Sequence, residues 1–323
     1  GRRAIIETHG GPEVIRWIED EIGDPGPGQI IVVHEAVGLN FIDTYHRRGI
    51  YPTPLPTGSG IEAAGRVVAV GVGVGGLREG DRVATIGPDL GAYATVRRVD
   101  AKSAFRLPDG VDSATAAAAI VKLFTAELLV ERCARVGPGM DVLVHAAAGG
   151  VGLLLVQWLK AIGARVIGTV GSEEKAAAAR GAGADEVILY TREPVAPCVR
   201  DLTGGKGVRV VFDGIGRDTW DASLDSCGKR GLIVSYGNAS APVTGISLGI
   251  LATKGSLYNT RPTLFDYYAE PEERAAGAAR SWAMLESGAV KVTIGQRFPL
   301  EEAARAHAAL EARQTTGSTL LIP

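Results

Sequence analysis

The stretch Val142-Leu-Val-His-Ala-Ala-Ala-Gly-Gly-Val-Gly152 decides the fold class of this chain. Its first half is an apolar run of the length of a buried strand, and an apolar pattern with helical spacing follows over 151–162. A strand that ends in glycines and opens a helix is the usual dinucleotide-binding turn, because glycine lets the backbone approach a pyrophosphate and the helix N-terminus offers N–H groups. The same glycines also occur where a strand-to-helix turn needs them for geometry alone.

Strand and helix patterns alternate after this turn. The strand patterns lie at 165–170, 186–190, 208–213 and 231–236, and the helix patterns lie at 173–181 and 219–226. Because parallel strands need a crossover between them, this alternation predicts an α/β fold with a doubly wound parallel sheet.

The chain on either side of this region has a β-rich pattern. β-Branched runs at 30–37, 64–71 and 83–86 are separated by glycine-rich turns, which predicts a small barrel-like β domain. An alanine-rich helix pattern at 113–130 follows them. The tail at 270–323 is too short for a core of its own, so we expect it to rejoin the first domain.

Composition and charge narrow the class of partner. The 323 residues include 34 Lys and Arg against 36 Asp and Glu, so the formal charge of −2 gives no reason to expect nucleic acid or an anionic membrane as a partner. Apolar runs such as 116–121 are shorter than the roughly 20 residues of a membrane span, and the N-terminus lacks the apolar run of a signal peptide. Three dispersed cysteines form no C-x-x-C pair, which favours a reducing, cytoplasmic location.

The residues after the second strand pattern distinguish between two cofactors. In a doubly wound sheet, an Asp or Glu at the end of this strand binds the 2′-hydroxyl of NAD. Here the strand pattern ends in Gly171-Ser172, and Lys175 follows on the next helix. Small residues leave room for a 2′-phosphate and a lysine neutralises it, so NADPH is favoured over NADH. Glu173-Glu174 is the opposing signal, and it is explained by the preference for acidic residues in the first turn of a helix.

Short motifs along the whole chain have the spacing of one known family. They are Gly38-Leu-Asn-Phe-Ile-Asp-Thr-Tyr45, Gly49-Ile-Tyr-Pro52, Gly60-Ile-Glu-Ala-Ala-Gly65, Gly91-Ala-Tyr-Ala94, His145-Ala-Ala-Ala-Gly-Gly-Val-Gly152, Ser235-Tyr-Gly-Asn-Ala-Ser240, Tyr258-Asn-Thr-Arg-Pro262 and Gly317-Ser-Thr-Leu-Leu-Ile-Pro323. Together they resemble the motifs of the zeta-crystallin-like quinone oxidoreductases, a zinc-free branch of the medium-chain dehydrogenase/reductase superfamily.

The resemblance implies two domains and one cofactor. It implies a GroES-like β-barrel catalytic domain formed by 1–121 and 263–323, a Rossmann domain formed by 122–262, and NADPH as the cofactor. It also implies which residues bind NADPH, from the nicotinamide to the pyrophosphate and the 2′-phosphate. These are Phe41, Ile42, Asp43, Thr44, Tyr45, Gly149, Gly150, Val151, Gly171, Ser172, Glu173, Glu174, Lys175, Tyr190, Gly214, Tyr236, Gly237, Asn238, Ala239, Ser240, Ala241 and Arg313.

The zinc ligands of the superfamily's alcohol dehydrogenases are missing. Asn40 stands where those enzymes have a cysteine ligand, and Ile61 stands where they have a histidine ligand. Zinc needs nitrogen or sulfur ligands in tetrahedral geometry, so we expect no metal. The histidines offer no substitute site: His145 lies in an apolar strand, His46 lies beside Tyr45, and His9, His34 and His307 are isolated in the sequence.

The absence of a Lewis acid favours conjugated electrophiles as substrates. A reduced quinone has a delocalised and weakly basic oxygen, for which a hydrogen-bond donor suffices. The candidate donors are Asn40, Tyr45, Tyr51 and Arg261, and each of them also fits a role in packing or cofactor binding.

We therefore expect an NADPH-dependent quinone reductase, and two other functions share the same motifs. One is an NADPH-dependent ene reductase of activated alkenes such as enones or haloacrylates. The other is a weakly catalytic NADPH-binding protein with a structural or RNA-binding role. The resemblance also implies a homodimer, for which the segment 255–260 is the candidate edge strand.

Overall fold

Both folds predicted from the sequence are present in the computed structural model, which describes residues 1–323. The chain divides into unit 1, formed by 1–121 and 292–323, and unit 2, formed by 122–291. The first boundary is the predicted one. The second lies after residue 291 instead of after 262, so the segment 263–291 belongs to unit 2.

Aromatic packing accounts for this difference at the second boundary. The ring of Tyr268 stacks on Phe124 with a centroid distance of 4.8 Å, and Trp282 meets Phe124 edge-on at 5.8 Å. Tyr268 Oη also donates to the Glu127 carboxylate over 2.8 Å. These contacts place the segment 263–291 within the core of unit 2.

Unit 1 begins with strands and one short helix. Its elements in chain order are β1 (Arg2–Ile6), β2 (Arg16–Glu19), β3 (Gln29–Leu39), α1 (Phe41–Arg48), β4 (Thr57–Gly58), β5 (Glu62–Val70), β6 (Arg82–Ile86), β7 (Val96–Asp100), β8 (Ala104–Arg106) and the first residues of α2 (Ser113–Glu127), with 3-10 turns at Pro12–Val14 and Ala101–Ser103.

Unit 2 contains the strands and helices that alternate along the chain. Its elements are the end of α2 and a π-helical continuation (Leu128–Cys133), then β9 (Asp141–Val144), α3 (Gly150–Ala161), β10 (Arg165–Val170), α4 (Glu173–Gly181), β11 (Glu186–Leu189), α5 (Val195–Leu202), β12 (Val208–Asp213), a 3-10 turn (Arg217–Thr219), α6 (Trp220–Ser226), β13 (Cys227–Ser235), α7 (Gly249–Thr253), β14 (Tyr258–Thr260), α8 (Leu264–Tyr267) and α9 (Pro271–Glu286).

The tail was expected to rejoin the first domain from residue 270 onward, and only its part after residue 291 returns to unit 1. It forms β15 (Ile294–Pro299), a 3-10 turn (Leu300–Glu302), α10 (Ala303–Glu311) and β16 (Ser318–Ile322). β16 pairs antiparallel with β3, from Thr319 opposite Leu39 to Leu321 opposite Val37. The resulting sheet has the order β15-β16-β3-β5-β6-β8, with β7 paired to β3, and a second sheet has the order β2-β1-β4.

The apolar residues of the strands and helices form a core in each of the two units. In unit 1, Val37 and Leu39 of β3 pack with Leu321 of β16 and Ala306 of α10. In unit 2, strand residues such as Leu143 pack against the helices on the sheet. The tail therefore completes the core of unit 1, because its apolar residues cover a strand face that the first 121 residues leave open.

One helical run is longer than the apolar segments that the sequence analysis considered. The helix Ser113–Cys133 is long and apolar enough to cross a membrane by length and composition, but 83% of its most apolar window is buried inside the protein. A run of this kind is also the pattern of a core helix that is apolar on all sides.

Candidate functional site

The carboxyl ends of the strands in unit 2 bring most of the predicted cofactor residues to one edge of its sheet. All neighbouring strands are parallel, in the order β11-β10-β9-β12-β13-β14. The chain order reverses between β9 and β12, and in doubly wound sheets ligands bind at such a switch point. The glycine turn follows β9, and Gly214 follows β12, so both border this point.

The glycine turn has the geometry of an anion site. Gly149 precedes α3 in extended conformation, and no side chain caps the N-terminus of this helix. A Cβ at Gly152 would overlap the carbonyl oxygen of Ala146 and lie 2.9 Å from Ala147 Cα. The helix therefore approaches the turn as closely as glycine permits, and its first N–H groups point out of the carboxyl edge of the sheet.

The second strand-to-helix connection brings small and polar residues together in a partly exposed group, which we call the Lys175 pocket. Ser172 caps α4 by accepting a hydrogen bond from the backbone N–H of Lys175 over 3.3 Å. The Tyr190 ring packs against Gly171, where a Cβ would lie 2.6 Å from the tyrosine oxygen. The predicted residues Gly171, Ser172, Lys175 and Tyr190 thus lie together.

The acidic residues at this pocket have a structural explanation. Glu173 and Glu174 occupy the first turn of α4, where acidic side chains interact favourably with the helix dipole. The Glu173 carboxylate also pairs with the Arg192 guanidinium over 2.7 Å. The pairing brings a positive charge to the pocket edge and offsets one of the two negative charges. Arg192 follows β11 in a loop without a motif, so its role could not be predicted from the sequence.

Two loops after β12 and β13 are joined by backbone contacts. Ala239 N–H donates to Gly214 O over 3.2 Å, and Ser240 N–H donates to Ile215 O over 2.9 Å. The ring of Tyr236 packs on Gly214, where a Cβ would lie 2.8 Å from it. The predicted cofactor loop from Tyr236 to Ala241 and the predicted Gly214 therefore form one surface.

Asp213 organises the loop after β12. Its Oδ1 accepts from the N–H groups of Ile215 and Gly216 over 2.9 and 3.1 Å, and its Oδ2 accepts from Ser223 Oγ over 2.6 Å. His145 joins the same network, because its Nε2 is 3.1 Å from Ser223 Oγ. Ser223 donates its proton to Asp213, so His145 Nε2 carries a proton and donates to Ser223.

His145 is a buried, hydrogen-bonded residue, as the sequence predicted. Its Nδ1 lies 3.0 Å from Thr169 Oγ1 in the adjacent strand β10. Burial lowers the pKa of His145, so the ring is neutral. The side chain therefore ties together the carboxyl ends of three strands beneath the glycine turn.

Arg261 lies against the same loops in unit 2. Its Nη1 donates to Ser235 O over 2.8 Å. Its Nη2 is 3.1 Å from the amide oxygen of Asn238 when that amide is oriented to accept. This candidate donor thus supports the loop from Tyr236 to Ala241.

The remaining predicted residues lie in unit 1, and all of them except Arg313 lie on or next to α1. Asn40 precedes this helix, and its backbone N–H donates to Asp43 Oδ2 over 2.8 Å, as in a capping box. The Asn40 side chain donates from Nδ2 to Glu62 Oε1 over 2.6 Å. The position that holds a zinc-ligating cysteine in the alcohol dehydrogenases is therefore occupied by an amide bound to a buried carboxylate.

Aromatic side chains cover one side of α1. The rings of Tyr45 and Tyr51 meet edge-on with centroids 5.3 Å apart, and the Phe41 ring is 6.4 Å from Tyr45. His46 is half-buried and its Nδ1 is 2.9 Å from Thr53 Oγ1. Burial lowers the pKa of His46, so it is neutral at pH 7. Arg313 lies in an exposed left-handed turn just after α10, with φ of 59°.

Two further histidines, His34 and His307, are buried in unit 1. His34 is buried, with its Nδ1 2.7 Å from Ala94 O, and burial lowers its pKa to about 4. His307, which is isolated in the sequence, is fully buried and contacts both Arg47 and Tyr93. The partners of His307 come from distant parts of the chain, so the sequence around it gives no sign of them.

The side chains that could ligate a metal do not favour a metal site. Across residues 1–323, no group of three or more His, Cys, Asp or Glu side chains is placed to hold a metal ion. Ile61 is 1% exposed and packs as a core residue. Burial raises the pKa of the Cys227 thiol to about 12, which makes it a poor thiolate ligand.

Comparisons with known proteins agree with this fold. The model of the alcohol dehydrogenase GroES-like domain matches residues 26–109, and the zinc-binding dehydrogenase model matches residues 150–266. The second match lies wholly outside the positions of Asn40 and Ile61, so it carries no information on a metal at those positions.

Relatives match along the whole chain. The quinone oxidoreductase of Pseudomonas aeruginosa is 50% identical over 323 residues, which cover 100% of this chain and 99% of that protein. The 2-haloacrylate reductase of Burkholderia sp. is 42% identical and is matched over 98% of its length and 99% of this chain.

A solved structure agrees equally well. The crystal structure of Escherichia coli quinone oxidoreductase complexed with NADPH has a TM-score of 0.98 and 47% identity, and the match covers 100% of both chains. The resemblance of the motifs is thereby confirmed. The chain belongs to the quinone oxidoreductase family of the medium-chain dehydrogenase/reductase superfamily.

Proposed function

We propose that this protein is a zinc-independent, NADPH-dependent reductase that transfers a hydride to quinones. The observation that carries the proposal is the carboxyl edge of the sheet in unit 2. There an uncapped helix N-terminus at Gly150 lies beside a pocket with Lys175 and with Glu173 paired to Arg192. The match to a quinone oxidoreductase whose structure is described as complexed with NADPH supports the choice of cofactor.

The residues present fit a phosphorylated dinucleotide. The N–H groups of Gly150 and Val151 are aligned to donate to a pyrophosphate, because α3 has no capping side chain. Ser172 and Lys175 are the proposed partners of the 2′-phosphate, which is supported by the Ser172 cap of α4 and by the packing of Tyr190 on Gly171 beside them. The remaining cofactor residues of the resemblance, including Phe41 to Tyr45 and Arg313, belong to the same proposal.

Stabilisation by hydrogen-bond donors, without a metal, suits a quinone as the substrate. Bound NADPH supplies the hydride, while the protein supplies orientation, exclusion of water and electrostatics. Asn40 and Ile61 provide no zinc ligands, so the developing oxyanion is stabilised by hydrogen bonds instead of a Lewis acid. A hydroquinone oxygen is stabilised by its ring, which makes this weaker stabilisation sufficient. Three relatives of 48–50% identity are named quinone oxidoreductases, which supports a quinone as the acceptor.

The second candidate function is the reduction of activated alkenes. The similarity to the 2-haloacrylate reductase of Burkholderia sp. favours it. The cofactor chemistry is the same, and conjugation again delocalises the negative charge that follows hydride transfer. The two functions differ only in the electrophile that the substrate pocket accepts.

An acceptor panel with chelator-treated protein tests these functions together. After dialysis against EDTA, the protein should oxidise NADPH with 1,4-benzoquinone or 1,2-naphthoquinone at the rate of untreated protein, since no step uses a metal. Turnover with 2-chloroacrylate or an enone should be at least about 10-fold lower in kcat/KM, a difference of roughly 1.4 kcal/mol. The measurement is NADPH absorbance at 340 nm.

Each contrary result has a distinct meaning. Protein that binds NADPH but reduces no quinone would contradict the quinone proposal, and preferential turnover of the alkenes would favour the second function. Loss of activity in EDTA that is restored by Zn²⁺ would contradict zinc independence. NADPH binding without turnover of any acceptor would favour a weakly catalytic binding protein.

We also propose a homodimer formed through unit 2, and a cytoplasmic location. β14 is the edge strand of the parallel sheet, and Tyr258 on this strand is 62% exposed. Leu248 and Ile246, in the preceding segment, are exposed apolar residues. An open strand edge beside apolar side chains favours pairing with a second copy. The three free cysteines support the cytoplasmic location.

Light scattering tests the dimer. The wild-type protein at micromolar concentration should have twice the 33.6 kDa mass of one chain. Tyr258→Lys should raise the monomer fraction, because a charge on a strand edge opposes edge pairing. Val72→Lys, at an exposed apolar residue of unit 1, is the matched control and should leave the mass unchanged. A wild-type monomer would count against the proposal.

A further inference from the structure

Helix α1 and the tail helix α10 are joined by a chain of buried polar side chains in unit 1. We call it the α1–α10 network, and it consists of Asp43, Tyr93, His307, Arg47 and Glu311. The first four are at most 1% exposed. The Glu311 side chain is 26% exposed and ends the network at the surface.

The contacts of the network are continuous. Arg47 donates from Nη2 to the two carboxylate oxygens of Glu311 over 2.7 and 2.8 Å, and from Nη1 to His307 Nδ1 over 2.8 Å. His307 Nε2 is 2.8 Å from Tyr93 Oη. Tyr93 Oη in turn donates to Asp43 Oδ2 over 3.1 Å.

The two ends of the network determine the direction of every hydrogen bond. An arginine only donates, so His307 Nδ1 accepts and Nε2 carries the proton. That proton is donated to Tyr93, whose own proton is donated to the Asp43 carboxylate. Burial and the Arg47 charge lower the pKa of His307 to about 3, and burial and Asp43 raise the pKa of Tyr93, so both groups are neutral. The chain thus has a single arrangement of protons.

Such a network is a costly way to stabilise a core. A buried polar chain gains little over well-packed apolar residues, but it specifies one geometry. In unit 1 this cost falls on Arg47, His307 and Tyr93, which are at most 1% exposed. The geometry that they specify is the position of the Asp43 carboxylate.

Asp43 transmits this geometry to the start of α1. The same Oδ2 that accepts from Tyr93 also accepts from the Asn40 backbone N–H over 2.8 Å. Asn40 in turn contacts Glu62, and Glu62 Oε2 accepts from Val121 N–H over 2.8 Å. The first turn of α1, which carries the predicted nicotinamide-side residues, is therefore held from both sides.

Gly60 has a defined part in this arrangement. It adopts a φ of +84°, and a Cβ there would overlap the ring of Tyr93. The motif that begins at Gly60 thus leaves the space for Tyr93 and supplies Glu62 to Asn40 two residues later.

We propose that Tyr93, His307 and Arg47 are positioning residues for the reduction, which act through Asp43 to hold the segment from Asn40 to Tyr45 in its reactive geometry. The proposal rests on the proposed function of this protein. It also gives the C-terminal tail a role in the reaction, because His307 and Glu311 belong to α10.

The test compares two deletions of a buried tyrosine hydroxyl. Tyr93→Phe removes the donor to Asp43, and the control Tyr268→Phe removes the donor to Glu127 in unit 2. Tyr93→Phe should lower kcat for 1,4-benzoquinone about 10-fold, because small displacements of reacting groups have large effects. The Kd for NADPH, measured by fluorescence titration, should change less than about two-fold. Tyr268→Phe should lower the Tm by a similar amount and leave kcat unchanged.

A mutant cycle and hydrogen exchange distinguish positioning from stability. Asp43→Asn should lower kcat, and the double variant with Tyr93→Phe should lower it no further, since both act through one contact. Amides of 40–48 should exchange at least about 5-fold faster in Tyr93→Phe than in Tyr268→Phe. If Tyr93→Phe does not fold, Glu311→Gln at the exposed end of the network should show the same change in exchange.

The outcomes are separable from the proposed function. If the wild-type protein does not turn over quinones, the proposed function is contradicted. The hydrogen exchange of the amides of 40–48 in the tyrosine variants then tests the positioning role independently of activity. Unchanged exchange overturns the proposal. Equal losses of kcat in the two tyrosine variants, or additive losses in the double variant, also overturn it, because they show a general effect of stability.

Discussion

Replacing Lys175 with alanine should lower kcat/KM for NADPH about 10- to 100-fold, because a hydrogen bond between charged groups contributes roughly 1.5–3 kcal/mol. The same variant should leave kcat/KM for NADH within about two-fold, since NADH has no 2′-phosphate for the lysine to neutralise. The measurement is steady-state kinetics with both cofactors and one quinone. The ratio of the two kcat/KM values isolates the phosphate contact from any effect on folding.

Two companion variants sharpen this prediction. Arg180→Ala removes a positive charge from the last turn of the same helix α4, about 7.5 Å along its axis from Lys175. It should leave the cofactor preference unchanged. Arg192→Ala removes the partner of Glu173 and should lower the preference for NADPH, though less than Lys175→Ala, because the ion pair is exposed. An unchanged NADPH/NADH ratio in Lys175→Ala would show that the phosphate is bound elsewhere.

Replacing Gly152 with alanine should abolish tight NADPH binding. The added Cβ would overlap the Ala146 carbonyl oxygen, and the second close atom, Ala147 Cα, also belongs to the backbone, so no rotamer relieves the collision. The start of α3 must then move away from the turn, which misaligns the N–H groups of Gly150 and Val151. Losing two hydrogen bonds to a pyrophosphate, each about 1.5 kcal/mol, predicts a Kd at least about 100-fold higher.

The same substitution should also destabilise the fold. Overpacking costs about 1–3 kcal/mol, which lowers the Tm by several degrees in a protein of this size. Gly181→Ala is the matched control, since it lies in α4 with no atom within 4 Å of the added Cβ. It should leave NADPH binding intact and keep or slightly raise the Tm. NADPH affinity of wild-type strength in Gly152→Ala would contradict the assignment of the turn.

Local patterns predicted most of unit 2. The strands Arg165–Val170 and Val208–Asp213 and the helix Glu173–Gly181 have the bounds that the sequence analysis gave them. Such elements are predictable because backbone hydrogen bonding and the burial of one face depend on residues that are close in sequence. Helix α1 was missed as a helix, since its eight residues are too few for a clear period and it appeared only as a motif.

Some residues of the candidate site could be proposed from the sequence, and others could not. The residues of the glycine turn and of the pocket at Lys175 could be proposed from the sequence because each group follows a predicted strand. Arg192 and Asp213 were missed because neither belongs to a quoted motif, and Glu62 was missed because its motif gave it no role. Each acts on a site residue that the sequence did identify: Arg192 on Glu173, Asp213 on the loop after Gly214, and Glu62 on Asn40.

The sequence by itself determined the α/β class, the glycine turn, the lack of zinc ligands at Asn40 and Ile61, and the return of the last part of the tail to the first domain. Tertiary structure alone decided which polar groups meet. Tyr93 and His307 are 214 residues apart, Arg47 and His307 are 260 apart, and Tyr268 and Glu127 are 141 apart. Periodicity describes which face of an element is buried, but it does not specify which distant side chain will complete a buried hydrogen bond. That choice follows from the packing of whole elements, and here it joins α1 to α10 and places the boundary of unit 2 after α9.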